Sequence, residues 1–381
     1  MMQSSLYHHY DYDYLVVGAG LSGATFARTV TDAGCKCLIL EQRAHIGGNV
    51  YTEDKEGIHL HKYGPHIFHT NSEQIWHYVQ QYARFNHFSY RPKAYSGGRL
   101  FSFPINLLTL HQLWGVNTPH EAEARLQEVR YNIPKPANLE EWALSQMGEE
   151  LYELFIRPYT EKHWRCLARE LPASILKRIP MRLTFDDNYY HHKYQGIPEK
   201  GYTALVARML EGIEVRCSCD FFGDMPYWLQ QAPCVVYTGA IDRLMNYQYG
   251  PLAYRSLRFE TERLEIADFQ GAAVINYPDP QKDYTRIIEH KHFYFGGQPF
   301  TYITREYPAE TRETGLPLYP VNTEANNRRY RQYQDAVGYQ FPQMILTGRL
   351  AEYRYYNMDQ VIARALKKAR QALVEMSAGV R

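Results

Sequence analysis

No sign of charge dominates this chain: 42 lysines and arginines face 41 aspartates and glutamates, a net charge of +1 over 381 residues. Such a balance attracts neither nucleic acid nor an anionic membrane, so any anionic ligand must be met by local arginines. No apolar stretch approaches the roughly 18 residues of a membrane span, and the opening MMQSSLYHHYDYDY lacks the basic start and apolar stretch of a signal peptide. These absences predict a cytoplasmic protein with no membrane span and no nucleic-acid partner, whose first ten or so residues form a loose tail. Cysteine is scarce. The six, at 35, 37, 166, 217, 219 and 234, include two C-x-C pairs on expected strands and no C-x-x-C zinc spacing. Buried reduced thiols are expected in preference to a metal site. Also missing are a G-x-S-x-G elbow, an H-E-x-x-H pair, a second G-x-G-x-x-G, internal repeats and low-complexity tracts.

What is present begins with Tyr14 to Val17, a short apolar strand running into Gly18-Ala19-Gly20-Leu21-Ser22-Gly23. A helix is expected from Ala24 to Asp32, then a second apolar strand, Cys37 to Leu40, and Glu41 eighteen residues past Gly23. In such a βαβ unit the glycines let backbone approach a pyrophosphate, the helix N-terminus offers free N–H groups, and the acid accepts from ribose hydroxyls. Some dinucleotide binds here, NAD or FAD by this motif alone. Arg43, Gly47, Gly48 and Asn49 follow directly and can bring a second piece of backbone to the nucleotide, which points toward FAD. With no second fingerprint for a nicotinamide nucleotide, a flavin here must exchange electrons with an external partner or do chemistry that consumes none.

Further along, His61, His66 and His69 share a Gly-Pro loop, each open to a purely structural reading. Residues 84 to 106 alternate around Ser96-Gly97-Gly98-Arg99 and predict a hairpin. From about 107 to 182 the pattern is helical, with Asn138 capping a run to about Phe155. Leu171 to Arg182, between Pro172 and Pro180, is either a hinged segment holding cations over a cleft or a helix with a solvated basic face. Gly201 to Gly212 reads as helix, Glu214 to Cys217 and Cys234 to Thr238 as strands, and 252 to 306 has the period of an antiparallel sheet. Met344 to Thr347 is a last strand before Gly348-Arg349 and a closing amphipathic helix. The 34 tyrosines suit a large polar pocket, or simply a tyrosine-rich core.

The strings HIGGN (45–49), YGPHIFHT (63–70), YTEKHW (159–164), ELPASILKRIPMR (170–182), DDNYY (186–190), YQGIP (194–198), YTRIIEHKHF (284–293), YPVN (319–322) and GRLAEYRYYNMD (348–359) closely resemble the UDP-galactopyranose mutase family, in the same order over nearly the whole chain. The resemblance implies an α/β fold: a Rossmann-like FAD-binding domain (1–80, 195–250 and 320–381), a helical insertion with a mobile substrate loop (105–182) and an antiparallel β-sheet domain (82–104, 183–194 and 251–319). It implies a flavin-dependent isomerase of cell-surface polysaccharide biosynthesis. This enzyme would interconvert UDP-galactopyranose and UDP-galactofuranose by covalent catalysis from N5 of reduced FAD, without net redox change. An external reductant such as NAD(P)H and a homodimer are further expectations, and no metal is expected.

Residue by residue, the resemblance assigns catalysis to Arg178, Arg286 and His69, the two arginines gripping the diphosphate. For the cofactor it implies Gly18, Ala19, Gly20, Ser22, Gly23, Glu41 and Gln42, then Gly47, Gly48, Asn49, His66 and Ile67. From the later chain it adds Asp220, Phe221, Arg349, Tyr356, Asn357, Met358, Asp359 and Gln360. The substrate set is Phe155, Tyr159, Thr160, Trp164, Arg178, Tyr189, Asn276, Arg286, Tyr319 and Tyr355, with Tyr159 stacking on uracil. Two positions depart from the family pattern, Asn357 where Asp is common and Tyr90 where Asn is common. An amine-oxidase-like flavin oxidoreductase, or a cofactor-free binding protein on the same fold, are the competing readings.

Overall fold

Tyr14–Val17, Cys37–Leu40 and Cys234–Tyr237 are almost wholly apolar, the composition of parallel strands covered on both faces. They form the centre of a five-stranded sheet in the order Met344–Leu346, Cys234–Tyr237, Tyr14–Val17, Cys37–Leu40, Glu214–Arg216, with every pair parallel. The structure, a computed structural model, describes residues 10–173, 175 and 181–378. Side chains alternate across this sheet. Val16, Ile39, Val236 and Ile345 join one core, shared with the helices Leu21–Asp32 and Met358–Ser377, which lie against each other. Leu15, Leu38, Val235 and Met344 join the core on the opposite face. The nucleotide end of the molecule is therefore built from both ends of the sequence.

A seven-stranded sheet makes up the second layer, ordered Tyr319–Pro320, Tyr254–Leu264, Thr301–Glu310, Arg286–Glu289, Val274–Asn276, Lys93–Ser96, Arg99–Ser102. All its pairs are antiparallel except Val274–Asn276 with Lys93–Ser96. In that register Asn276 stands directly opposite Arg286. The expected hairpin turns at Gly97 and Gly98, both at positive φ (56° and 75°), as a two-residue loop requires. Helices Leu107–Trp114, Pro119–Val129, Leu139–Leu151 and Arg157–Trp164 pack on the Phe101 and Phe103 side of this sheet and enclose a third core. Among the described residues no helix is long and apolar enough to cross a membrane.

The structure corrects several expectations. The first helix begins at Leu21, three residues before Ala24, directly on Gly20. The strand Glu214–Arg216 stops before Cys217, which is exposed, and Cys35 and Cys219 also lie outside strands; the C-x-C pairs are not a set of buried strand thiols. The run opened by Asn138 is not one helix. Gly148 breaks it at φ 75°, and a π-helical turn, Tyr152–Ile156, follows before Arg157. Sequence periodicity also missed the helix Glu324–Gln340, whose buried residues are only Asn326, Tyr333 and Val337. Its remaining signal was the cap, where the Thr323 hydroxyl accepts from the Asn326 N–H.

At Gly148 a Cβ would lie 2.6 Å from the Val129 carbonyl oxygen, in a backbone region that other residues avoid. Gly148→Ala should therefore lower stability by about 2 kcal/mol, strain of the size expected for a forced left-handed residue, measured as a reduced denaturation midpoint at unchanged slope.

Candidate active site

Three pieces of backbone meet at the C-terminal ends of the parallel strands. Gly18, at φ 107°, turns under Thr238; a Cβ there would lie 2.2 Å from the Thr238 hydroxyl, which donates to the Val17 carbonyl at 2.7 Å. Gly23 passes so near that its Cβ would meet the Gly18 carbonyl oxygen at 2.0 Å. Gly47 donates to the Ala19 carbonyl at 2.9 Å, and a Cβ on Gly48 would lie 2.9 Å from the Gly20 Cα. From the far end of the chain, Gly348 comes against Ser22, while Thr347 and Ser22 hydroxyls share a hydrogen bond of 3.2 Å.

These turns line a cavity of about 650 Å³, a volume suited to a dinucleotide. Gly18, Gly20, Ser22, Gly47, Gly48 and Asn49 form one wall, with Glu41 and Gln42 at one end. Asp220, Phe221, Arg349, Met358 and His66 complete the expected set that lines it. Glu41 is buried, and its two oxygens accept from the Ala19 and Arg43 N–H groups, each at 2.9 Å. A carboxylate has lone pairs to spare after two such bonds, so it fixes the turn and can still accept from a ribose. Arg243 bonds both Gln42 (2.9 Å) and Asp220 (2.7 Å), and Arg43, whose Nη2 donates to Asn49 at 3.1 Å, also lines the cavity. The glycine cradle, where a Cβ would close the space, fits a dinucleotide pyrophosphate.

Ala19 and Gly23 shape the turn without lining the cavity, and Ile67 lines the neighbouring one. Tyr356, Asn357, Asp359 and Gln360 line neither, although Met358 and Val361 on the same helical turn do. Gln360 Oε1 accepts from the Asn357 N–H at 2.9 Å, and the Tyr356 carbonyl accepts from Arg349 at 2.7 Å.

The second cavity, about 210 Å³, opens beside the first, and His66 lines both. Its walls are the helix side (Phe155, Tyr159, Thr160), the hairpin side (Asn276, Arg286) and Tyr319 and Tyr355. Tyr189 and Ile67 complete the expected members. Phe155 sits in the π turn, a local widening that sequence periodicity could not signal. No carboxylate lines this cavity among the described residues, and Arg286 is its one permanent charge there. Arg286 Nε donates at 2.8 Å to Glu306, which is fully buried and whose Oε2 has no partner. Burial works hardest against the guanidinium charge, but Glu306 together with Tyr159, Tyr90 and Tyr319 outweighs it and holds the pKa well above its ordinary value. Tyr90, Tyr159, Tyr190 and Tyr319 are raised by burial and stay neutral hydroxyls. Burial, with Arg349 and Arg286, lowers His66 to about 4, so it is neutral near pH 7; its Nδ1 lies 2.8 Å from the Gly64 carbonyl and serves as donor.

Two expected residues fall elsewhere. His69 lines neither cavity. It stacks under Tyr190 at 3.6 Å and bonds His192 at 2.7 Å, and burial lowers it to about 3. Trp164 lines neither and lies beneath the Arg255 guanidinium, 6.0 Å away. Arg178 lies outside the described residues. The site also has members that sequence reasoning left unassigned: Tyr63, Tyr190 and Thr238. Tyr63 and Tyr190 stood inside quoted strings, and Thr238 follows a strand end, where such folds bind ligands.

A family profile for UDP-galactopyranose mutase matches residues 154–355, and one for an NAD(P)-binding Rossmann-like domain matches residues 16–82. A Klebsiella pneumoniae protein named "Probable UDP-galactopyranose mutase" is 40% identical over 366 residues, 94% of this chain and 94% of that protein. The chain belongs to the UDP-galactopyranose mutase family. It is thereby a nucleotide-sugar isomerase on a flavin-binding Rossmann fold, α/β with a parallel and an antiparallel sheet. An Escherichia coli dTDP-fucopyranose mutase is 38% identical over 93% of this chain and 97% of that one. A crystal structure of reduced UDP-galactopyranose mutase superposes with a TM-score of 0.75 at 14% identity, covering 96% of this chain and 94% of the other, a likeness of fold.

Gly23→Ala would put a methyl group 2.0 Å from the Gly18 carbonyl and force the turn apart. The purified variant should be largely colourless, its visible flavin absorbance per protein at least about tenfold below wild type, a loss of some 1.4 kcal/mol or more in cofactor binding.

Proposed function

We propose that this protein binds FAD in the larger cavity and interconverts UDP-galactopyranose and UDP-galactofuranose in the smaller one. The observation that carries this reading is the acid-free, tyrosine-lined cavity with Arg286 on its wall, joined through His66 to the dinucleotide cavity. The glycine turns, Glu41 and Arg349 would hold FAD, which in its reduced form would supply a nucleophilic N5 and so permit isomerisation without net redox change. The protein's part is binding and charge. Arg286 meets the departing diphosphate as a permanent, forked donor, and its buried partner Glu306 fixes its aim. Arg178 would be the second such donor. Tyr159 offers its ring to the uracil, with Phe155 and Thr160 beside it. Tyr189, Asn276, Tyr319 and Tyr355 give the sugar and phosphates neutral hydrogen bonds. His66, neutral, borders the junction where sugar and flavin would meet. His69 and Trp164 act from behind Tyr190 and Arg255, without touching substrate. A cytoplasmic homodimer reduced by NAD(P)H, with the three-part domain division given above, completes the proposal.

The assay is conversion of UDP-galactofuranose by enzyme reduced with dithionite, with the oxidised enzyme nearly silent. Reduced, flavin-loaded protein that leaves UDP-galactofuranose unchanged would defeat the reading. The similar identity to a dTDP-fucopyranose mutase makes dTDP-fucopyranose the comparison substrate, and a higher kcat/KM on it would move the assignment within the family. Substrate-dependent bleaching with peroxide in air would instead mark an oxidase.

Arg286→Ala should cut turnover about 10²- to 10³-fold while leaving flavin content unchanged, the scale expected when one charge-stabilising donor is lost. Turnover equal to wild type would remove Arg286 from the site.

A further inference from the structure

Lys162 sits on the helix Arg157–Trp164, one turn beyond Tyr159 and two residues beyond Thr160. Its ammonium donates to three backbone carbonyls, those of Tyr277 (2.8 Å), Asp279 (2.6 Å) and Tyr284 (3.2 Å). An ammonium has three N–H donors, so none is left for a ligand. All three acceptors belong to the loop 277–285, which connects Val274–Asn276 to Arg286–Glu289. That loop is closed at its base by the Tyr277 N–H donating to the Thr285 carbonyl at 2.8 Å. Its two flanking residues are Asn276 and Arg286, register partners that both line the smaller cavity.

We propose that Lys162 is a positioning residue that fixes the gap between the two walls of the nucleotide-sugar cavity, the helix carrying Tyr159 and Thr160 and the hairpin carrying Asn276 and Arg286. This rests on the proposed UDP-sugar function of that cavity. The helix belongs to the helical layer and the hairpin to the seven-stranded sheet, and one charged group ties them. A ligand that must touch a ring on one wall and a guanidinium on the other depends on that gap. Displacements of an ångström at such contacts are costly. The charged groups acting on Lys162 are Asp279 and Asp283 on the loop. Burial outweighs their pull and lowers the lysine from 10.5 to about 8. Above that pH a neutral amine has two donors and turns a lone pair toward a carbonyl, so one strand of the tie is lost.

The test is UDP affinity and steady-state kinetics of FAD-loaded Lys162→Met, which keeps the apolar stem and removes the donors. The UDP Kd and the KM for UDP-galactofuranose should rise about tenfold, with kcat reduced less and flavin content unchanged, since the lysine sets spacing and touches neither ligand. A Kd and KM equal to wild type would overturn the inference. A second measurement needs no variant: the wild-type Kd for UDP should rise between pH 7.5 and 9.5, and a flat profile would overturn the inference equally. Wild type that binds no UDP at any pH would remove the UDP-sugar reading and this inference together. Wild type that binds UDP, with Lys162→Met matching it, would remove the inference alone.

Discussion

Everything in this molecule depends on three stretches of backbone coming closer than side chains allow. Gly18 to Gly23, Gly47-Gly48 and Gly348 meet at distances where a single Cβ at Gly23 would sit 2.0 Å from a carbonyl oxygen. The N-terminus of the first helix and Arg43 then border one cavity, and a diphosphate is the ligand such groups accommodate. The parallel sheet holds the turns in place, and the buried Glu41 ties the Ala19 N–H of the first turn and the Arg43 N–H with one carboxylate.

The two cavities use different electrostatics. The dinucleotide cavity is lined by glycine backbone and by charges of both signs, Glu41, Asp220 and Asp242 with Arg43, Arg243, Arg312 and Arg349. Among the described residues no carboxylate lines the smaller cavity, and the one fixed charge there, Arg286, is balanced from behind by Glu306. Tyrosine hydroxyls raised by burial supply its remaining polarity without adding charge. An anionic leaving group thus meets a cation already oriented by a buried partner, which costs little reorganisation when charge develops.

Local signals carried much of this. The glycine fingerprint, the acid after the second strand and the Gly97-Gly98 turn dictate their own geometry, and each appears where periodicity placed it. The harder features were those whose cause is tertiary. Glu324–Gln340 is polar nearly all round, so the 3.6-residue period that marks a helix is faint in it. A π turn, Tyr152–Ile156, interrupts the helical run between Leu139 and Trp164, and beyond it Tyr159 and Thr160 line the cavity while Trp164 does not. In the same way Tyr189 and Tyr190 face the ligand side while His69 backs onto Tyr190, a layering that linear spacing does not encode. Family strings brought the right neighbourhood together, and the fold decided which ring of each neighbourhood is on the surface of the cavity.

The order of the five-stranded sheet also has a meaning in time. Its central strand, Tyr14–Val17, is made long before the edge strand Met344–Leu346 and the helix Met358–Ser377 that covers Leu21–Asp32. Until they arrive, the helix behind the glycine turn has an uncovered apolar side, and Ser22 lacks its partner Thr347. The growing chain therefore carries the first half of a nucleotide site until Gly348 and Thr347 have been made to complete it, so ligand capture waits on residues far along the sequence.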